Sequence, residues 1–438
     1  MHYLKEPTTA PFENYNVSED ILQTVREIID EVREGGDEAA LQFTERFDDT
    51  SRESNVLSDE ERARALDSVS EDQRRIIDNS IGNIQAFAEA QLDSVSEFER
   101  DMGHGVSLGQ KIVPIETVGA YVPGGEYPLL SSALMAVVPA NVAGVSRITV
   151  AMPPQDDGIP HPAAVYGALE AGADEIYVLG GAQAVAAMAV GTEEVSKVDM
   201  VVGPGNIFVT EAKRQVYGEV GIDLLAGPSE ILVLADETSD PELIATDLLA
   251  QAEHDASARP LLVTTSESLG NAVIEQVESQ LESLRTADIA GESWNQKGAV
   301  IVVDTIADAV EMSDELAPEH LEVQTKNPRA LLDELSNYGT LFIGDNSANI
   351  FSDKLIGTNH ILPTQRAARY TAGLSVHMFV KHQTYQEVAD EGVKNLEPWA
   401  TKQSVIERLE GHAKSSYVRS PEHDLQNYDE ETIELPDE

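Results

Sequence analysis

From about residue 106 onward, short β-branched and aliphatic runs alternate with helical patterns, and few folds accommodate that rhythm. The runs Ile148-Thr149-Val150, Ile176-Tyr177-Val178-Leu179, Met200-Val201-Val202 and Ile231-Leu232-Val233-Leu234 are separated by small-residue segments such as 162–171 and 182–190. A second series at 261–264, 300–303 and 341–343 alternates with helical segments near 241–253, 269–284 and 328–335. Strands buried on both faces read as continuous apolar runs, and their alternation with helices means βαβ units in mostly parallel sheets. The predicted class is α/β, with two Rossmann-like open sheet domains, 106–236 and 237–380. Residues 1–105 form a helical segment expected to pack on the second of these. Within it Ile21, Val25, Ile28, Ile29 and Val32 recur at helical spacing behind a Ser18 N-cap. Residues 381–438 are expected to return to helix, ending in an acidic, mobile tail at 421–438.

Charge narrows the function classes. With 78 Asp+Glu against 29 Lys+Arg the formal charge is −49, so nucleic acid is not an expected partner, because phosphate backbones are bound by Lys and Arg. Acids spread along the whole chain suit concentrated salt, where self-repulsion is screened, so a salt-adapted (halophilic) origin is expected. There are no cysteines, which excludes disulfides, thiolate nucleophiles and Cys-ligated metals. The first residues, MHYLKEPTTAPFENY, lack a basic region followed by an apolar run. The longest apolar stretch, 129–145, is broken by Ser131, Ser132, Pro139 and Asn141. A soluble, cytoplasmic protein with no membrane partner is expected.

Four constellations can carry chemistry. Glycine-bearing turns at Tyr121-Val122-Pro123-Gly124-Gly125, Gly180-Gly181-Ala182-Gln183 and Gly203-Pro204-Gly205-Asn206 adjoin strands and helix starts, where phosphates bind. Each alone is more often a tight turn. Gln251 and His254 share a helix face and offer donors for zinc or a similar ion. A lone histidine at a helix end is nevertheless more often a surface group. Glu319-His320 is a carboxylate–imidazole pair suited to general acid–base work, or else part of a solvated loop. The irregular stretch 351–360 adds Asp353 and His360 around a glycine. Glu407 and His412, taken singly, would be surface residues.

In order along the chain, Y-V-P-G-G at 121–125, G-G-A-Q-A at 180–184, G-P-G-N at 203–206 and A-G-P-S-E at 226–230 are followed by further motifs. These are Q-A-E-H-D at 251–255, A-P-E-H-L-E at 317–322, D-x-x-x-G-x-N-H at 353–360 and E-x-x-x-x-H at 407–412. Together they resemble the L-histidinol dehydrogenase family over roughly residues 15–418; the acidic extension lies outside that pattern. The resemblance implies oxidation of L-histidinol to L-histidine through the aldehyde, with two hydride transfers to NAD, at the end of histidine biosynthesis. It implies NAD contacts from Tyr121, Gln183 and Asn206, which makes the first α/β domain the NAD-binding one. Zinc, one ion per subunit, would be held by Gln251, His254, Asp353 and His412. Substrate would be bound by Ser229, His360 and Glu407 together with Gln251, His254, His320, Asp353 and His412. Glu319 and His320 would be the acid–base pair. Glu407 and His412 would reach the partner's site, which implies a homodimer with composite active sites. Two other readings compete. A zinc hydrolase with a metal-bound water leaves Tyr121, Gln183 and the G-P-G-N turn without a role. A non-catalytic two-domain binding protein leaves Glu319 and His320 without one.

Overall fold

The computed structural model describes residues 1–8, 17–124, 129–430 and 433. Gly125 of the first glycine turn and residues 431, 432 and 434–438 of the acidic tail therefore lie outside the described residues. A short strand β1 (His2–Lys5) precedes the helices α1 (Glu19–Asp48), α2 (Asp59–Ser68) and α3 (Glu71–Leu92). Strands β2 (Phe98–Asp101) and β3 (Val106–Pro114) come next. The first α/β series is β4 (Thr117–Tyr121), α4 (Leu130–Val142), β5 (Arg147–Met152), α5 (Pro162–Glu170), β6 (Glu175–Val178), α6 (Gly181–Val190), β7 (Met200–Val202), α7 (Ile207–Val216) and β8 (Gly221–Ile222). The second begins with β9 (Glu230–Ala235), α8 (Pro241–Ala252), β10 (Arg259–Thr264), α9 (Glu267–Leu281), α10 (Ala287–Lys297) and β11 (Ala299–Val302). It closes with α11 (Ile306–Leu316), β12 (His320–Gln324), β13 (Thr340–Ile343) and α12 (Asn349–Lys354). Strand β14 (Val380–Val388) and helices α13 (Asp390–Ile406) and α14 (Glu410–Tyr417) end the chain.

Residues 1–92 and 115–379 form one compact unit, and residues 93–114 and 380–438 a second. Within the first unit, a parallel five-stranded sheet runs β6-β5-β4-β7-β8. The other sheet runs β1-β11-β10-β9-β12-β13, parallel except for β1. Each is doubly wound: the order reverses between β4 and β7 in one, and between β9 and β12 in the other. This is the α/β class that the alternating pattern predicts.

Several boundaries differ from expectation. The strand at 231–234 is not the last of the first domain but the centre of the second sheet. Its local sequence marks it as buried β, yet nothing local says with which strands it pairs. The first α/β series opens at β4 rather than at 106, because β3 belongs to the second unit. The stretch at 328–335 yields only a 3₁₀ turn at Pro328–Leu331. The N-terminal helices, expected on the second α/β domain, pack on the first: α1 on α6 and α7, α2 on α5, and α3 on α4 and α5. The cause lies in α6, whose Ala182, Ala184, Ala186, Ala187 and Ala189 are all buried. A helix apolar all round must be covered on both sides, and Val25, Ile28, Ile29, Val32 and Phe43 of α1 supply the outer cover.

The second unit, by itself, is an antiparallel sheet β14-β3-β2 followed by the α13–α14 helices. Residues 380–388 are thus strand, not helix. The start of the acidic tail is docked rather than free. His423 stacks on Tyr417 at 4.0 Å and Tyr428 meets the same ring edge-on at 5.2 Å. No helix among the described residues is long and apolar enough to cross a membrane.

Candidate active site

One cavity of about 600 Å³ collects most of the candidate residues. Gln251, in the last turn of α8, and His254, just beyond it, reach it from one side. Helix α8 is placed by an Asp240 N-cap accepting the Glu242 N–H at 2.9 Å, by Pro241 in its first turn, and by burial of Ile244, Ala245, Leu248 and Leu249. Glu319 and His320 enter at the start of β12, Ser229 just before β9, Asp353 from α12 and His360 from the loop after it. Asn206 lines the same cavity. Relative to the first sheet the cavity lies at carboxyl ends, the usual place at a switch point. Relative to the second it lies at amino ends, beside β9 and β12, against that rule.

Burial sets the charge states. Glu319 Oε2 accepts the backbone N–H of Glu230 at 2.8 Å, and its Oε1 lies 3.8 Å from His320 Nε2. Burial pushes the Glu319 carboxyl well up, and the carboxylates of Glu230 and Asp353 add to this. Glu230 itself rises to about 7 through burial, in spite of Arg259 at 3.2 Å. Burial drives His320 down to about 4, with His360 and His254 contributing and Asp353 opposing. His320 Nδ1 is buried without a hydrogen-bond partner. His360 is also pushed down by burial; its Nδ1 sits 3.1 Å from the Asp353 carbonyl oxygen and its Nε2 3.4 Å from Ser132 Oγ. His320 and His360 are therefore neutral near neutral pH and can accept protons or bind as free imidazoles.

The donor set fits a divalent ion. Gln251 Oε1 accepts from Asn349 Nδ2 at 2.8 Å and keeps a second lone pair. The imidazole of His254 and the carboxylate of Asp353 line the same cavity. Nitrogen and oxygen donors of these types suit zinc, and equally manganese or cobalt. Among the described residues no three His, Asp or Glu side chains converge in metal-holding geometry, and this trio holds a single imidazole and a single carboxylate.

Tyr121 and Gln183 are not in the cavity lining. Both lie buried at the carboxyl side of the first sheet. The Tyr121 hydroxyl accepts the Gly181 N–H at 3.2 Å at the start of α6, and burial lifts its pKa to about 12. Gln183 has both amide atoms buried and without a protein partner; buried amides normally find one in protein, ordered water or a ligand. Asn206 is also a structural cap of α7, a role its residue type favours at a helix start, its Oδ1 accepting from the Phe208 and Val209 N–H groups at 3.0 and 3.1 Å. Gly203, at φ +115°, leaves room for the Tyr121 carbonyl, which a Cβ would approach to 2.1 Å. Gly203→Ala is expected to cost about 1–3 kcal/mol from backbone strain, with the clash added. A urea midpoint equal to that of the parent would show that the turn can relax.

Sequence reasoning missed the groups that hold these turns. Gly203 donates to Asp223 Oδ2 at 2.7 Å and accepts from Lys213 Nζ at 2.8 Å, and Lys213 and Asp223 form a buried ion pair. Asp48, at the end of α1, lies beside Gly180 with one oxygen buried and unpartnered, and burial raises it to about 6. Glu407 and His412 belong to the second unit, at the end of α13 and in α14.

The family model described as Histidinol dehydrogenase matches residues 13–420. The histidinol dehydrogenase of Clostridium acetobutylicum is 42% identical over 400 residues, covering 91% of this chain and 92% of that protein. That of Bacillus cereus is 43% identical over 419 residues, covering 94% and 95%. The crystal structure of histidinol dehydrogenase from Elizabethkingia anophelis superposes with a TM-score of 0.89 at 36% identity, covering 93% of this chain and 94% of that one.

Proposed function

Since the chain belongs to the histidinol dehydrogenase family, we propose that its cavity binds one zinc ion and L-histidinol. We propose also that the carboxyl side of its first sheet binds NAD. The chain is a dehydrogenase that oxidises histidinol in histidine biosynthesis. The observation that supports this site best is the meeting of Gln251, His254 and Asp353 with Glu319 and His320 in one cavity, from three separate parts of the fold.

When bound, zinc would anchor the imidazole and amine nitrogens of the substrate, and two NAD molecules in turn would each take up one hydride. Gln251, His254 and Asp353 supply the ligands of this chain; His412 of a second copy is proposed as the fourth, in a homodimer. Tyr121, Gln183 and Asn206 hold NAD. Ser229 and His360 orient the substrate, with Glu407 of the second copy, so that the reacting carbon faces the nicotinamide. His320, neutral because it is buried, takes the hydroxyl proton as hydride leaves the carbon. Glu319 then takes a proton from the water that adds to the aldehyde, and the resulting hydrate anion loses the second hydride to leave the carboxylic acid. Glu319 serves as a base only once ionised, and neutralising the nearby Asp353 carboxylate favours that ionisation. Retaining the aldehyde between steps keeps a reactive intermediate from solvent.

The test is a count of NADH formed per histidinol consumed, with and without a chelator. Two per substrate, abolished by chelation and restored by zinc, is the expected result. One per substrate with free aldehyde would overturn the four-electron reading, and turnover indifferent to chelation would overturn the metal.

A further inference from the structure

Beneath the cavity a connected set of buried polar groups joins the elements that carry the ligands. His320, Glu322 and Gln324 alternate onto one face of β12, and Gln324 Nε2 reaches Asp247 Oδ2 of α8 at 3.3 Å. The same amide nitrogen donates to Glu322 Oε2 at 3.1 Å. Glu322 Oε1 accepts the backbone N–H of Asn349, the first residue of α12, at 3.0 Å. Asn349 in turn donates from Nδ2 to Gln251 Oε1 at 2.8 Å. Glu322, Asn349 and Gln251 are all buried. Asn349 therefore ties α12, which carries Asp353, to α8, which carries Gln251, and Glu322 anchors the backbone from which Asn349 projects.

The chemistry of an amide gives this arrangement a purpose. A glutamine side chain can be turned to exchange its oxygen and nitrogen, and only the oxygen has lone pairs to offer a cation. A donor placed against Oε1 selects one orientation and fixes the oxygen while leaving it a further lone pair. Glu322 and Asp247 are hydrogen-bonded to each other, and burial raises both, Glu322 to about 8. Glu322 thus stays protonated near neutral pH and supports Asn349 without adding a buried negative charge.

We infer that Asn349 is a positioning residue that presents the Gln251 oxygen to the metal, and that Glu322 holds Asn349 in place. The inference rests on the zinc reading of the site. Partners that orient metal ligands are typically worth 10–100-fold in affinity.

The experiment uses the full-length protein and zinc alone, with affinity read by competition against a chromophoric chelator and Tm read on the metal-free form. Asn349→Leu removes the donor at similar size, and Asn349→Ala serves if the leucine variant does not fold. Either is expected to weaken zinc binding by about 10–100-fold, with turnover recovering at excess zinc. Glu322→Gln keeps an acceptor for the Asn349 N–H and is expected to stay within about threefold of the parent. Zinc affinity unchanged in the Asn349 variants would overturn the positioning role while leaving the zinc site standing. Failure of the parent to bind zinc would instead overturn the metal reading. A fall in metal-free Tm with unaltered zinc affinity would mark Asn349 as structural only, and would also overturn the inference.

Discussion

Replacing His320 with asparagine is expected to lower kcat for histidinol oxidation by roughly 10²–10⁴-fold, the usual contribution of a general base. Asparagine keeps a polar group in the cavity but cannot take the hydroxyl proton. The parent imidazole titrates at about 4 because it is buried, so its basic form persists through mildly acid conditions. Acidification toward pH ~5 should therefore not slow the reaction through this residue. Stability carries the opposite signature. An unfolded histidine titrates near ~6.5, so between the two values the unfolded chain binds more protons. The stability that His320 contributes above that window is lost as the pH falls through it. His320→Asn should therefore flatten the acid side of the stability curve while removing activity. A variant with parental turnover, followed by stopped-flow NADH absorbance, would transfer the base role to another group.

Loss of the Lys213–Asp223 pair should have the largest effect on stability. Both side chains are almost wholly buried, 3% and 0% exposed. Lys213→Met leaves Asp223 charged, enclosed and without its cation, at an expected cost of about 3–5 kcal/mol. It also frees the Gly203 carbonyl, so the turn beside Tyr121 should loosen and KM for NAD should rise more than kcat falls. The double variant Lys213→Met/Asp223→Leu is expected to lose less than the sum of its single changes, because no uncompensated charge remains. Urea denaturation of the three variants decides it; a Lys213→Met midpoint equal to that of the parent would show that the pair contributes little.

Most strands of the two sheets could be read in the sequence because parallel strands enclosed by helices tend to be apolar throughout, whereas β12, with His320, Glu322 and Gln324 buried along it, does not read as one. Strand β14 could not. Its residues after Val380 are exposed, so no alternation betrays it, and its pairing with β3 depends on backbone bonds between segments far apart in the chain. The same distinction separates the site residues. Gln251, His254, Glu319, His320 and Asp353 stand in ordered motifs that resemble a family. Asn349, Glu322, Lys213 and Asp223 are ordinary polar letters whose significance lies in their burial, which is fixed only when remote segments meet. The packing of the N-terminal helices is illegible for a related reason: an amphipathic stripe announces that it will be covered, but not by what.

The cavity touches the two sheets at opposite ends, and this sorts what can bind there by sign. At the first sheet, α4 and α7 begin beside it with the partial positive charge of a helix start. At the second, α8 finishes beside it with spare carbonyls and partial negative charge. A cleft of this kind favours an anionic group against one wall and a cationic one against the other. The dinucleotide with its diphosphate and the ammonium-bearing substrate proposed above would meet that demand together. Had both sheets faced the cavity with the same ends, one of the two reactants would have been bound against the field.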